Sequence, residues 1–111
     1  MIGVTAREMQ IILDVIRQNA ADCNVLAFGS RYKGSTNESS DLDLVFDGGE
    51  KLGFMRLQAI KEAFWESDLP YRVDVLDYHA ISPEFRAIID EGHERIQERI
   101  YDAKLKIQNA K

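Results

Sequence analysis

Two neighbouring stretches of the chain decide its fold. Residues 26–34 read Leu-Ala-Phe-Gly-Ser-Arg-Tyr-Lys-Gly, and residues 40–46 read Ser-Asp-Leu-Asp-Leu-Val-Phe. The first is an apolar run that ends abruptly at its glycine-serine pair, and the second carries Asp41 and Asp43 one residue apart. Because side chains alternate between the two faces of a strand, both carboxylates project from the same face. The sequence therefore predicts two strands that bring a glycine-serine turn beside a carboxylate pair.

This combination of residues suits a nucleotide and its metal ion. Gly29 has no side chain and lets the backbone approach a phosphate closely, and Ser30 can donate its hydroxyl at the start of the following helical turn. The unpaired N–H groups at that turn favour an anion. Asp41 and Asp43 supply the hard oxygen ligands that Mg²⁺ prefers.

The two motifs resemble those of the nucleotidyltransferase superfamily with the DNA polymerase beta fold, in which Gly-Ser, a short helix and Asp-x-Asp follow one another. Residues 29–34 and 40–44 look most like the minimal nucleotidyltransferases of prokaryotes, and the resemblance covers about residues 5–92. It implies an α/β fold, with a small mixed sheet of three or four strands, helices packed on one face and an open catalytic face. Size indicates a single domain over residues 1–111, in which residues 93–111 form a C-terminal extension.

The resemblance also implies which residues bind the metal. Asp41, Asp43 and a third carboxylate, Asp74, are predicted to be catalytic and to hold Mg²⁺. Asp74 lies in the alternating segment 71–76, which reads as a neighbouring strand. Asp77 competes for the third place, but it falls at the strand end and its position in the alternation differs from that of Asp74.

Four residues around the glycine-serine turn are predicted to bind the nucleotide. They are Gly29, Ser30, Arg31 and Lys33, of which the two cations are candidates for phosphate contacts. A charged residue on a short turn is also commonly just solvated. Tyr32, between the two cations, has two interpretations, stacking on a base or packing against the protein.

The activity that the resemblance implies is Mg²⁺-dependent transfer of AMP from ATP to a hydroxyl group. Larger members carry further domains that grip the second substrate, and 111 residues leave little room for one, so a homo- or hetero-oligomer is expected. Minimal nucleotidyltransferases are typically paired with a helical HEPN-type protein in toxin–antitoxin modules, where they adenylylate a tyrosine of the toxin. Two alternatives stay open: a non-catalytic nucleotide- and partner-binding module, and an enzyme acting on a small hydroxyl compound such as an aminoglycoside.

Composition limits the other classes of function. The net charge of −5 argues against an extended nucleic-acid footprint, because phosphate backbones are held by clusters of Lys and Arg. Neither a membrane span nor a secretory signal is evident, which predicts a cytoplasmic protein without membrane association. A lone Cys23 cannot form an internal disulfide.

Periodicity and capping signals predict the order helix, strand, short helix, strand, helix, strand, helix. The tail is ambiguous, because Ile96 and Ile100 fit a helical face while residues 95–99 alternate as a strand would. Ala103 and Ile107 would continue that helical face. The predicted bounds of the longer elements are 5–19, 25–28, 41–47, 54–67, 71–76 and 82–92.

Aromatic residues add to the expectation of a partner. Tyr71, Tyr78 and Tyr101 are predicted to be exposed, and Trp65 is assigned either to the core or to a partner surface.

Overall fold

The computed structural model describes residues 2–34 and 40–99. In chain order, the elements are α1 (Ala6–Asn19), β1 (Asn24–Phe28), α2 (Ser30–Lys33), β2 (Leu42–Asp47), α3 (Phe54–Trp65), β3 (Val73–Asp77), α4 (Pro83–Glu91) and β4 (Glu94–Gln97). None of the helices in this part of the chain has the length and hydropathy that crossing a lipid bilayer requires.

The four strands form one mixed sheet in the order β3-β2-β1-β4. β1 pairs antiparallel with both β2 and β4, whereas β2 and β3 are parallel. The register places Asp43 opposite Phe28 on one side and opposite Asp74 on the other. The last residue of β1 and two predicted site carboxylates therefore meet at one end of the three neighbouring strands β3, β2 and β1.

Helix α1 begins at the capping box that the sequence predicts. The Thr5 hydroxyl accepts a hydrogen bond from the Glu8 backbone N–H, and the Glu8 carboxylate accepts one from the Thr5 N–H. Two of the N–H groups that a helix start leaves without intrahelical partners are satisfied in this way. The capping box fixes where α1 begins. The apolar side chains of the helix then face the sheet.

The main hydrophobic core lies on one face of the sheet. Leu42, Leu44 and Phe46 of β2 are completely buried there, together with side chains from α1 and α3. Phe46 meets Phe64 of α3 edge to face, with ring centroids 6.5 Å apart. The alternation of β2 thus gives its even-numbered residues to this core and leaves its odd-numbered residues to the other face.

A smaller core lies on that second face and corrects one detail of the expected fold. The predicted α/β class and mixed sheet are confirmed, but the helices do not all pack on one face. Ile89 of α4 packs against Phe28 and Val45, and Phe85 of the same helix contacts the Phe28 ring at a centroid distance of 5.8 Å. Helix α4 therefore covers part of the face that the sequence left open.

The ambiguous tail forms a strand where the structure describes it. β4 pairs with β1, and Ile96 packs against the main core. Of the two alternatives, the strand is confirmed for residues 94–97. Ile100, Ala103 and Ile107, which defined the helical alternative, lie outside the described residues.

Asp77 has a structural position rather than a place among the exposed carboxylates. It is 4% exposed, and its carboxylate accepts hydrogen bonds from the backbone N–H groups of Leu52 and His79 at 2.8 and 3.0 Å. Its side chain belongs to the face of the main core, opposite to that of Asp74. Asp77 thus ties the ends of two loops to the end of β3.

Replacing Asp77 with Ala should lower the free energy of unfolding by about 2–3 kcal/mol, because two buried N–H donors lose their acceptor. Asp74→Ala is the matched control and should change stability by less than about 1 kcal/mol, since its carboxylate is partly exposed. Urea denaturation without divalent cations measures both. Equal losses for the two variants would contradict the distinction.

Candidate functional site

The site is built around the turn between β1 and α2. Gly29 follows the last residue of β1 and has φ 76° and ψ −154°. Residues other than glycine rarely adopt this backbone conformation. A Cβ built on Gly29 would overlap the Oδ2 atom of Asp43. A larger residue here would be strained by its backbone and would also displace the carboxylate, so Gly29 is required for two separate reasons.

Three predicted carboxylates share the face of the sheet opposite the main core. Asp43 and Asp74 are directly paired across β2 and β3, and Asp41 lies one residue before β2. All three are half-buried. The structure thus brings Asp41, Asp43 and Asp74 to one region beside Gly29, as the motif spacing predicted, and it separates Asp77 from them.

Burial and the proximity of these carboxylates raise the pKa of Asp43. Its pKa is raised to about 6, mainly by burial and also by charge repulsion from Asp74 and a hydrogen bond with Asp74 that favours the protonated form. Repulsion from Asp41 adds to the effect. A carboxylate in this state gains from a cation placed close to it, which is a chemical reason to regard the cluster as a metal-binding site.

We expect the carboxyl carbon of Asp43 to titrate in NMR with a midpoint near 6 in the metal-free protein, and Asp74→Asn to lower that pKa. Because the folded-state pKa lies above the unfolded value, stability should fall as the pH rises from about 4 to about 6. Asp43→Asn should therefore melt above the parent at pH values over 6 and with it below pH 4. A midpoint near 4 in the parent would contradict the assignment.

Arg72 is part of the cluster, and the sequence analysis missed it. Its Nη2 lies 3.5 Å from Oδ2 of Asp41, and its Nε lies 3.5 Å from Oδ1 of Asp74. A residue two positions before Asp74 on the same strand must share its face, so the alternation contained this signal. The guanidinium neutralises part of the charge that the carboxylates bring together.

The donor chemistry fits a divalent cation, but the carboxylates are not arranged as a finished cage. Within residues 2–34 and 40–99, no three His, Cys, Asp or Glu side chains converge closely enough to hold a metal ion. Asp41 and Asp74 are instead paired with Arg72. Mg²⁺ takes oxygen ligands in near-octahedral geometry and keeps several waters, so few carboxylates are needed to hold it.

Arg31 has structural contacts that the sequence analysis did not predict. It is 4% exposed, and it donates from Nε to the Ser40 carbonyl at 2.9 Å and from Nη1 to the Gly3 carbonyl at 2.6 Å. The guanidinium also lies 3.6 Å from the centroid of the Tyr71 ring, a cation–π distance. Arg31 thus joins the N-terminal segment and the loop before β2 to the sheet, and its contact with phosphate stays a prediction.

The remaining predicted nucleotide residues stay accessible beside Gly29. Ser30 and Lys33 are exposed at the start and end of the short helix α2. Tyr32, between them, is 37% exposed and lies close to Gly92, where an added Cβ would meet its ring. Packing against Gly92 is therefore the role of Tyr32 that the structure supports, and Lys33 is the cation of this turn left facing solvent.

The two cations of α2 can be separated by experiment. Arg31→Met should lower the free energy of unfolding by about 2–4 kcal/mol, because two buried hydrogen bonds and the Tyr71 contact are lost. Lys33→Met, the matched control, should change stability by less than about 0.5 kcal/mol and weaken ATP binding severalfold. Thermal melts and calorimetric titration measure these effects. A stable Arg31→Met protein with weakened ATP binding would favour the predicted phosphate contact.

Comparisons with known proteins agree with this geometry. The profile of the family described as "Polymerase beta, Nucleotidyltransferase" matches residues 10–101, a span that includes β4. The "Probable protein adenylyltransferase MntA" of Haemophilus influenzae is 43% identical over 98 residues, which cover 88% of this chain and 86% of that protein.

Solved structures share the fold at low sequence identity. A chain from a toxin–antitoxin crystal structure with AMP-PNP matches with a TM-score of 0.71 and 18% identity over 87% of this chain and 78% of that one. A chain from the tri-AMPylated Shewanella oneidensis HEPN toxin in complex with MNT antitoxin matches with a TM-score of 0.64 and 16% identity, over 89% and 76% of the two chains. With the profile match and the 43% identical relative, the fold shows that this chain belongs to the polymerase beta family of nucleotidyltransferases.

Proposed function

We propose that this chain transfers AMP from ATP to a hydroxyl group of a protein, with Mg²⁺ as cofactor. The observation that carries the proposal is the pairing of Asp43 with Asp74 directly beside the Gly29 turn. A relative 43% identical to this chain bears the name of a protein adenylyltransferase, which supports AMP as the transferred group.

Each group of the site has a defined task in this reaction. Asp41, Asp43 and Asp74 hold the metal, which supplies charge neutralisation at the triphosphate when bound. Ser30 and Lys33 are accessible to the phosphates on the Gly29 side. Nucleotidyl transfer depends mainly on positioning of the reactants and on electrostatic stabilisation. The sheet provides the positioning, because it holds these side chains in register.

Arg72 belongs to the same reaction cycle. It neutralises part of the charge of Asp41 and Asp74 in the structure described here, and each carboxylate keeps a second oxygen for a cation. Both pairs are exposed, and exposed ion pairs contribute only about 0–1 kcal/mol, so their exchange for a divalent ion is energetically small.

The proposed acceptor is a tyrosine of a HEPN-type toxin, for which this chain acts as antitoxin. Solved chains of the same fold come from toxin–antitoxin complexes, and one of these contains a tri-AMPylated HEPN toxin. The accessible carboxylate face and the exposed Trp65 beside it provide a surface on which a protein acceptor can lie.

The test is to purify the tagged chain from its source cells with its bound protein and to supply ATP labelled at the α-phosphate. We expect label on the bound protein, a mass increase of one or more AMP units, and loss of both on chelation of divalent cations. Asp43→Asn should lower the rate more than about 100-fold, since changes to mere neighbours of metal ligands already cost about 10–100-fold.

Asp68→Asn is the control, because it makes the same chemical change at an exposed position away from the site. It should transfer AMP at the parental rate. Full activity of Asp43→Asn would contradict the site assignment. Efficient transfer to an aminoglycoside, without any protein acceptor, would replace the proposed acceptor by a small molecule.

A further inference from the structure

Two cavities lie on either side of the Gly29–Asp43 contact. The larger, of about 640 Å³, is lined by Asp43, Asp74 and Trp65, and we call it the Asp74 cavity. The smaller, of about 450 Å³, is lined by Gly29 and Lys33, and we call it the Lys33 cavity. Both volumes lie within the range of about 300–1,000 Å³ that is usual for small-ligand sites. The two cavities have the Phe28 side chain in common.

The chemistry of nucleotidyl transfer gives the two cavities different occupants. The acceptor oxygen forms a bond to the α-phosphorus while the bond from that phosphorus to the bridging oxygen breaks, and pyrophosphate leaves with the electron pair. The attacking and leaving oxygens lie roughly in line, on opposite sides of the phosphorus. If the phosphates lie at Gly29 and Lys33, as in the proposed function, the acceptor must enter from the Asp74 cavity.

Trp65 stands at the rim of the Asp74 cavity and is 81% exposed. It is the last residue of α3 and the single tryptophan of the chain. Tryptophan is enriched among the residues that contribute most to protein–protein binding, because it offers a large rigid surface with one polar group. Trp65 thus provides an exposed aromatic surface in the same cavity as Asp43 and Asp74.

The same helix contains an internal comparison. Phe54 and Met55, at the start of α3, are 77% and 82% exposed, so they are as accessible as Trp65. Neither lines the Asp74 cavity, because they lie at the opposite end of a 12-residue helix. Exposure alone therefore does not distinguish Trp65; its place beside Asp43 and Asp74 does.

The rim of the Asp74 cavity carries charges of both signs. Lys61 and Arg72 contribute positive charge, and Glu62 contributes negative charge next to Trp65. A polypeptide offers carbonyl and amide groups to such a mixed rim and an apolar surface to the tryptophan. Phe85 adds an aromatic ring to the lining, in addition to that of Phe28. The lining is thus suited to an aromatic side chain that carries a hydroxyl.

We propose that the Asp74 cavity binds the acceptor tyrosine of the protein substrate and that Trp65 packs against the polypeptide segment around that tyrosine. The phenolic hydroxyl then lies beside Asp43 and Asp74; its oxygen bonds to the α-phosphorus, its proton passes to solvent and pyrophosphate leaves. This inference rests on the proposed function and identifies the side from which its substrate enters. Trp65 acts in acceptor binding and has no part in holding the nucleotide.

The first experiment compares the kinetics of Trp65→Ala and Phe54→Ala for AMP transfer to the co-purified acceptor protein. Trp65→Ala should raise KM for the acceptor about 10- to 30-fold with little change in kcat, as expected for loss of a major contact residue. Phe54→Ala should change KM less than about 2-fold. Equal effects of the two variants would overturn the proposal, and unchanged melting temperatures exclude unfolding as the cause.

The second experiment uses Trp65 as its own reporter in the parent chain. N-acetyl-L-tyrosinamide should change the tryptophan fluorescence saturably, whereas N-acetyl-L-serinamide should not. The non-transferable analogue α,β-methylene-ATP with Mg²⁺ should bind parent and Trp65→Ala equally well by calorimetry. Weaker analogue binding by Trp65→Ala would assign the nucleotide to this cavity and overturn the proposal.

These readouts separate the two proposals. If no AMP is transferred to any protein, the proposed function fails, and the fluorescence titration still decides whether the Asp74 cavity binds a tyrosyl group. A saturable response to the tyrosine compound alone supports the cavity assignment, and the same response to both compounds, or to neither, contradicts it.

Discussion

The burial of one face of β2 is the constraint on which the rest of the structure depends. Leu42, Leu44 and Phe46 are all fully buried against α1 and α3, so a shift of register by one residue would place three large apolar side chains in water. This burial holds Asp43 on the opposite face. Asp43 is thereby opposite Asp74 and against Gly29, and the chemistry of the site follows from the packing of the core.

The part of the site that could be predicted from the sequence is the part set by local alternation. Spacing along one strand decides the common face of Asp41 and Asp43, and parity within β3 separates Asp74 from Asp77. The role of Arg31 could not be predicted in this way, because its partners are distant in sequence and include two backbone carbonyls. A charged residue next to a phosphate-binding turn gives no sign that it is buried.

Long-range pairing explains the other differences between prediction and structure. β4 satisfies both a helical and an alternating pattern, and only its pairing with β1 decides between them. Tyr71 and Tyr78, expected to be exposed, are half-buried because they pack against the main and the smaller core, with Arg31 and Arg86 over their rings. The fold class could be predicted without long-range contacts. Segments with strand and helix periodicity alternate along the chain, and this order favours a sheet covered by helices.

Arg72, the residue before β3, is a counter-ion for Asp41 and Asp74 that belongs to the same chain. Carboxylates gathered on one face oppose the formation of a sheet, and many metalloproteins complete such sites only when the ion arrives. Here the neutralising charge is two residues from Asp74 and is delivered when β3 pairs with β2. Part of the repulsion among the carboxylates is therefore offset within the chain itself once the sheet has formed.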